Sequence, residues 1–186
     1  GHRALAVNLS DLAAMGARPR AALLSLALPS SLEITAFDQM IDGMLALATR
    51  YQVALIGGNI TRTPGPMVLD VTAIGSVHRR KILTRSGARP GDDVYVTGTL
   101  GDAAAGLLRL QHDATDSGGA GRYLRPEPRV RAGSLLGRNR AASSCMDLSD
   151  GLADGVRQIA GASAVGITLE APALPVSQAW RESPRR

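Results

Sequence analysis

Cysteine, lysine and aromatic side chains are all scarce in this sequence. Its single cysteine, Cys145, cannot form an internal disulfide and cannot build a zinc site of several cysteines. The chain therefore needs no oxidising compartment, and we expect it in the cytoplasm. Only five aromatic residues are present, too few for the stacking platforms that bind single-stranded nucleic acid (Phe37, Tyr51, Tyr95, Tyr123 and Trp180).

Long apolar runs are also missing, and the positive charge has an unusual composition. No run approaches the roughly 20 residues of a membrane span, and the first residues lack the apolar core of a signal peptide. The 21 basic residues outnumber the 16 acidic ones, but Lys81 is the single lysine. This arginine excess is more typical of compositional bias than of a phosphate-binding stripe. We expect neither a nucleic-acid partner nor a membrane partner.

What remains is the composition of an ordinary globular protein, 45% hydrophobic and 20% charged. The apolar spacing alternates between strand and helix periods, which predicts an α/β fold. Gly16 is expected to cap the first helix, and Ser30 with Glu33 to form a capping box before the second. Predicted helices cover 5–15, 34–50, 102–110, 128–141 and 152–159, and predicted strands cover 21–28, 53–56, 67–77, 93–97 and 165–169.

A turn-rich segment over 86–92 is the best candidate for a domain boundary. It divides the sequence into two parts, 1–88 and 92–186. The small polar segment 113–121 is predicted to be a loop, and 182–186 an unpacked tail.

The densest polar cluster is Asp147-Leu148-Ser149-Asp150-Gly151, which precedes a predicted helix. Two carboxylates and a hydroxyl on a tight loop suit a hard cation or a magnesium-bound phosphate. An EF-hand is excluded, because that loop needs glycine at position 6 and glutamate at position 12. A helix cap made by Asp or Ser is the alternative. Asp154, one helical turn beyond Asp150, is expected to be solvated.

Other polar residues are weaker candidates. Asp11 lies within a predicted helix, where an isolated aspartate usually faces water. Asn59 follows Gly58 at the end of a predicted strand, an edge at which α/β proteins gather ligands. Arg85 could bind a phosphate with two hydrogen bonds, or could be a solvated linker arginine. Cys145 has no evident histidine partner and is interpreted as a small buried hydrophobe.

The sequence contains four motifs of interest: Asn8-Leu9-Ser10-Asp11 continuing to Ala17, Ile56-Gly57-Gly58-Asn59 continuing to Arg62, Leu83-Thr84-Arg85-Ser86-Gly87 continuing to Asp92, and Asp147-Leu148-Ser149-Asp150-Gly151-Leu152. Taken together they resemble the thiamine-monophosphate kinase family, within the aminoimidazole ribonucleotide synthetase-like superfamily. Their order and spacing match over nearly the whole sequence. The first and last recur across the superfamily, whereas the third and the long form of the first are typical of the thiamine enzymes.

The resemblance implies two α/β domains, an N-terminal and a C-terminal one, and a homodimer formed through the N-terminal sheets. It also implies transfer of the γ-phosphoryl group of ATP to thiamine phosphate with the help of Mg²⁺, without a catalytic general base. Carried over by motif, the magnesium ligands are Asp11, Asn59, Asp147 and Asp150, and the nucleotide-binding residues are Gly58, Arg85 and Ser149.

The sequence departs from the family in two ways. Asn59 stands where the family has aspartate, which removes one negative charge from a metal position. An early acidic segment and a late acceptor-binding segment are also not found, so both domains are expected to be incomplete and the 186 residues alone to be inactive. Alternatives are another ATP-using member of the superfamily with a different acceptor, and an inactive remnant that contributes only a dimer interface.

Overall fold

The computed structural model describes residues 1–112 and 120–181 and shows a mixed α/β fold, as predicted. Contacts divide the chain into two compact units. The first unit comprises Gly1–Leu83 and Pro128–Ala142, and the second comprises Thr84–Glu127 and Ser143–Arg186. The predicted division into 1–88 and 92–186 stays a prediction; it differs from the contact-based units in placing 128–142 with the second part.

A three-stranded sheet organises the first unit. Strand β1, Arg18–Pro29, lies between β2, Ala54–Thr63, and β3, Val68–Ser76. β1 pairs with β2 in parallel and with β3 in antiparallel orientation. Helix α2, Ile34–Tyr51, provides the crossover that a parallel pair requires.

Helices cover one face of this sheet. Leu5 and Leu9 of helix α1, His2–Ala14, and Met44 of α2 are fully buried, and they belong to one core cluster with the buried Leu24 and Leu26 of β1. On the opposite face, alternate residues of β3 are exposed, because a strand directs successive side chains to opposite sides (Val68, Asp70, Thr72 and Ile74).

Helix α5, Val130–Asn139, joins the first unit by packing against α1. A Cβ atom at Gly133 would lie 1.9 Å from the carbonyl oxygen of Ala13, so only glycine permits this approach. The Tyr51 hydroxyl also donates a hydrogen bond to the carbonyl oxygen of Pro128, at 3.0 Å. Both contacts tie a late segment of the sequence to its first half.

The regular elements in the described residues of the second unit are helices. Its helices are α3 (Asp102–His112), α4 (Gly121–Leu124), α6 (Leu152–Ser163) and α7 (Gln178–Arg181), and a short 3₁₀ turn covers Ala171–Ala173. A single bridge joins Leu100 to Val176. None of the helices in the described ranges 1–112 and 120–181 is long and apolar enough to cross a membrane.

Several local predictions are confirmed. Gly16 follows α1 with a φ of 68°, and its N–H donates to the carbonyl of Ala13 at 2.9 Å, as expected of a glycine cap. The helices predicted at 34–50, 102–110 and 152–159 form with ends shifted by a few residues. Those expected at 5–15 and 128–141 also form, as α1 and α5.

Three predictions are wrong. The segments 93–97 and 165–169 form no strand in the described part of the chain. Residues of high β propensity form a strand only where a second strand is available to pair with them. The capping box is absent: Glu33 is the N-cap of α2 and makes no side-chain cap bond, while Ser30 lies in a preceding turn. The strand predicted over 53–56 does form, but it begins at Ala54 and continues through Gly57-Gly58-Asn59 to Thr63. Most of the predicted loop, 113–119, and the tail 182–186 lie outside the described residues.

Candidate functional site

The acidic loop Asp147–Gly151 immediately precedes α6. The N–H of Cys145 donates to the carbonyl of Thr84 at 2.9 Å, which fixes the segment leading into the loop. At its other end, Gly151 has a φ of 93° and is the N-cap of α6. A Cβ atom at Gly155 would lie 2.6 Å from Leu148 Cδ2, so a glycine in the first turn of α6 leaves room for the loop.

The carboxylates of this loop are not used to cap the helix. The N-cap is Gly151, and α6 has no side-chain cap bond, so the alternative of an Asp or Ser cap is wrong. Asp147 is half-buried, and Ser149 and Asp150 are exposed. The loop therefore presents oxygen atoms that the local helix start does not need.

Cys145 lies beside the loop without the properties of a nucleophile. Burial raises the pKa of its thiol, and the nearby negative charge of Asp147 raises that pKa further. A raised pKa leaves less thiolate at neutral pH, and the thiolate is the reactive form.

The exposed side chain of Arg85 is held by a series of side-chain hydrogen bonds. Its Nη1 donates to Oε1 of Gln158, and Nε2 of Gln158 donates to Oδ2 of Asp154. Both partners lie on α6 and are half-buried, so the expectation that Asp154 is solvated is wrong. The spacing of Asp154 and Gln158, four residues apart on a helix, is a signal that the sequence already contained.

The backbone next to Arg85 is also attached to α6. The hydroxyl oxygen of Ser163 accepts hydrogen bonds from the N–H groups of Gly87 and Ala88, at 3.1 Å each. The same hydroxyl donates to the carbonyl of Arg85 at 3.1 Å. One serine at the end of α6 thus holds three backbone groups of the segment 85–88.

Asp92 holds the far end of this segment. Its Oδ2 accepts a hydrogen bond from the Ser143 hydroxyl at 2.5 Å and one from the Arg89 N–H at 2.8 Å. These two bonds hold the pKa of the Asp92 carboxyl below its usual value, and the bond from Ser143 has the larger effect. Together with the bond from the Cys145 N–H to the carbonyl of Thr84, these contacts anchor the segment on both sides of Arg85.

In the first unit, Gly58 and Asn59 are neighbours within β2. A Cβ atom at Gly58 would lie 1.8 Å from the carbonyl oxygen of Leu24, and its φ is 150°. The close approach of β1 therefore requires glycine here whether or not a nucleotide binds. Asn59 is exposed and pairs in register with Ser25 of β1, while Asp11 is exposed on α1.

The donor chemistry of these residues fits magnesium. Asp11, Asn59, Asp147 and Asp150 offer only oxygen ligands, which hard cations prefer. Within the described residues, no three His, Cys, Asp or Glu side chains are grouped as a metal site. Magnesium in phosphate-transferring enzymes is commonly held by one or two carboxylates, with substrate phosphates and water completing its octahedron. The pair Asp147 and Asp150 suits that arrangement.

The sequence matches two domains of one protein family. Residues 1–77 match the N-terminal domain of AIR synthase related protein, and residues 89–184 match its C-terminal domain. The chain belongs to this family. The predicted two-domain α/β class is thereby confirmed.

Several relatives within that family are thiamine-monophosphate kinases, as the four motifs indicated. The enzyme of Escherichia coli K12 is 45% identical over 184 residues, which are 96% of this chain and 55% of the relative. The crystal structure of the enzyme from Stenotrophomonas maltophilia K279a superposes with a TM-score of 0.88 at 44% identity, covering 100% of this chain and 60% of that one. The structure of AaThiL complexed with AMPPCP and TMP superposes with a TM-score of 0.89 at 34% identity, and the match covers 95% of this chain and 57% of that one. The chain thus spans little more than half the length of these relatives.

Proposed function

We propose that this chain belongs to an enzyme that phosphorylates thiamine phosphate to thiamine diphosphate at the expense of ATP. The observation that carries the proposal is the similarity to AaThiL, which was solved with AMPPCP and TMP and matches 95% of this chain. AMPPCP is an ATP analogue whose γ-phosphoryl group cannot be transferred. A relative that holds such an analogue together with TMP supports direct transfer between the two.

The proposed roles follow the motifs and the local geometry of each unit. In the second unit, Asp147 and Asp150 bind Mg²⁺, and Ser149 and Arg85 contact the nucleotide. In the first unit, Asp11 and Asn59 bind Mg²⁺ and Gly58 lines the nucleotide site. The exposed positions of Asp11, Asn59, Ser149, Asp150 and Arg85 leave these groups accessible to a ligand.

The chemistry of this transfer suits a site rich in carboxylates and poor in histidine. The acceptor is a phosphate oxygen that is already ionised at neutral pH, so no residue needs to remove a proton. Bound Mg²⁺ would supply charge neutralisation between the two phosphates. What the protein contributes is positioning, together with the positive charge of Arg85.

We also propose that the enzyme is a cytoplasmic homodimer. The half-buried single Cys145 needs no oxidising compartment, which supports the location. The exposed apolar residues on the sheet face opposite the helices, Val68 at 54% and Ile74 at 44%, support an interface there.

An ADP-release assay on the complete protein tests the proposed reaction. We expect ADP to form only when thiamine phosphate, ATP and Mg²⁺ are all present, with thiamine diphosphate appearing in equal amount. Thiamine and hydroxymethylpyrimidine phosphate are suitable control acceptors. ADP release that does not depend on thiamine phosphate would contradict the proposed acceptor.

Replacing Asn59 with aspartate should strengthen Mg²⁺ binding. The change restores a carboxylate at a proposed ligand, and we expect the Mg²⁺ concentration for half-maximal rate to fall about tenfold, because the number of charged ligands tunes cation affinity. Mg²⁺ titration of the initial rate is the measurement. Thr61→Asp is the matched control, since Thr61 lies two residues along the same strand and is also exposed. An equal gain from Thr61→Asp, or no gain from Asn59→Asp, would place Asn59 outside the coordination shell.

A further inference from the structure

Helix α6 carries more of the second unit's proposed site than the motifs indicate. It begins directly after the acidic loop that contains Asp147 and Asp150. Two turns further along, its Gln158 holds the guanidinium group of Arg85. The same helix thus directly follows the loop of the proposed metal ligands and also holds the proposed phosphate-binding arginine.

The hydrogen bonds of Gln158 fix the orientation of its side-chain amide. Its carbonyl oxygen accepts from Arg85, and its NH₂ group donates to Asp154. A reversed amide would direct NH₂ toward a guanidinium that can only donate and the carbonyl toward a carboxylate that can only accept. Asp154 therefore determines which end of Gln158 faces Arg85.

We infer that Gln158, held by Asp154, is a positioning residue that orients Arg85 for the phosphates of ATP. The inference rests on the proposed function, because it concerns the arginine assigned there to the nucleotide. Neither Gln158 nor Asp154 touches the nucleotide in this assignment; both act through Arg85. The attachment of Ser163 to the backbone of residues 85, 87 and 88 fixes the base of the same side chain.

An amide between Arg85 and Asp154 has a clear electrostatic advantage. A carboxylate in direct contact with Arg85 would form an ion pair and compete with phosphate for the guanidinium. The neutral carbonyl of Gln158 occupies one N–H of the guanidinium and adds no negative charge beside it. The remaining N–H groups of the guanidinium keep their planar arrangement, which suits two parallel bonds to a phosphate.

A double-mutant cycle tests this inference. Equilibrium binding of Mg-AMPPCP and steady-state kinetics are measured on the complete wild-type protein and on Gln158→Leu, Arg85→Ala and the double variant. We expect Gln158→Leu to weaken AMPPCP binding about tenfold, since Arg85 must then be ordered on binding. Arg85→Ala should weaken it more, and adding Gln158→Leu to Arg85→Ala should have no further effect.

Two further variants separate positioning from a merely structural role. Asp154→Asn keeps an acceptor for Gln158 and should bind AMPPCP within about twofold of wild type, whereas Asp154→Leu should match Gln158→Leu. In Gln158→Leu and Asp154→Leu only the orientation of Arg85 is disturbed. The KM for ATP of these two variants should therefore rise, while their KM for thiamine phosphate stays unchanged. Circular dichroism and the melting temperature establish that each variant is folded.

The outcomes distinguish this inference from the proposed function. In two cases the positioning role is wrong while the nucleotide role of Arg85 stands, provided that Arg85→Ala weakens AMPPCP binding. In the first, Gln158→Leu has no effect on AMPPCP binding. In the second, Gln158→Leu weakens AMPPCP binding as much in the Arg85→Ala background as in the wild-type protein. If Arg85→Ala leaves AMPPCP binding unchanged, the proposed role of Arg85 is wrong and the inference is overturned with it. A loss with Gln158→Leu that disappears when Arg85 is absent supports the inference.

Discussion

Replacement of Asp147 or Asp150 by asparagine is expected to lower kcat/KM for Mg-ATP about 100-fold, because each change removes a charged ligand from ions that neutralise the reacting phosphates. The geometry supports this size of effect, since neither carboxylate caps α6 and the loop is fixed at both ends. Raising the Mg²⁺ concentration should recover part of the loss. Added salt should change the result little, because ligands of a bound ion are screened less than surface charges.

The control for these substitutions must be an aspartate outside the Arg85 network. Asp154 is unsuitable, because it accepts a hydrogen bond from Gln158. Asp93 is exposed, belongs to the same unit and lies outside the four proposed metal ligands, so Asp93→Asn should stay within about twofold of wild type. Rates measured across a Mg²⁺ titration decide the matter. Equal losses with Asp93→Asn and Asp147→Asn would show a general effect of charge instead of metal binding.

The local part of the candidate site was predictable from sequence, and the long-range part was not. Asp147, Ser149 and Asp150 lie within four residues, so their shared loop follows from their order alone. The position of Arg85 depends on Gln158, which is 73 residues away. No local pattern specifies such a partner, although the Asp154 and Gln158 spacing marked one face of α6.

The same distinction explains the fold. Helix α1, helix α2 and strand β1 follow from apolar periodicity because their buried faces recur at regular intervals. The strands predicted at 93–97 and 165–169 failed because strand formation depends on a partner elsewhere in the chain. The packing of α5 on α1 includes a close backbone approach that requires glycine at position 133, and apolar periodicity does not encode such an approach.

Replacing Gly133 with alanine should destabilise the first unit by about 3 kcal/mol in its free energy of unfolding. The added Cβ would lie 1.9 Å from the carbonyl oxygen of Ala13 and 2.7 Å from its carbonyl carbon. Both atoms belong to the backbone of α1, so neither can be moved by changing a rotamer. The two helices must separate, and the gain in helix propensity of about 1 kcal/mol offsets only part of that cost.

Gly161→Ala in α6 is the matched control, because Gly161 is also helical and its Cβ position meets no atom within 4 Å. Without a clash, only the helix propensity remains, and this variant should be more stable than wild type by about 0.5–1 kcal/mol. Urea unfolding followed by far-ultraviolet circular dichroism measures both changes through the transition midpoint. The two alanine substitutions should therefore move the midpoint in opposite directions. A Gly133→Ala variant as stable as Gly161→Ala would mean that α5 does not pack on α1 through this glycine, and that segment 128–142 is not held to the first unit by this contact.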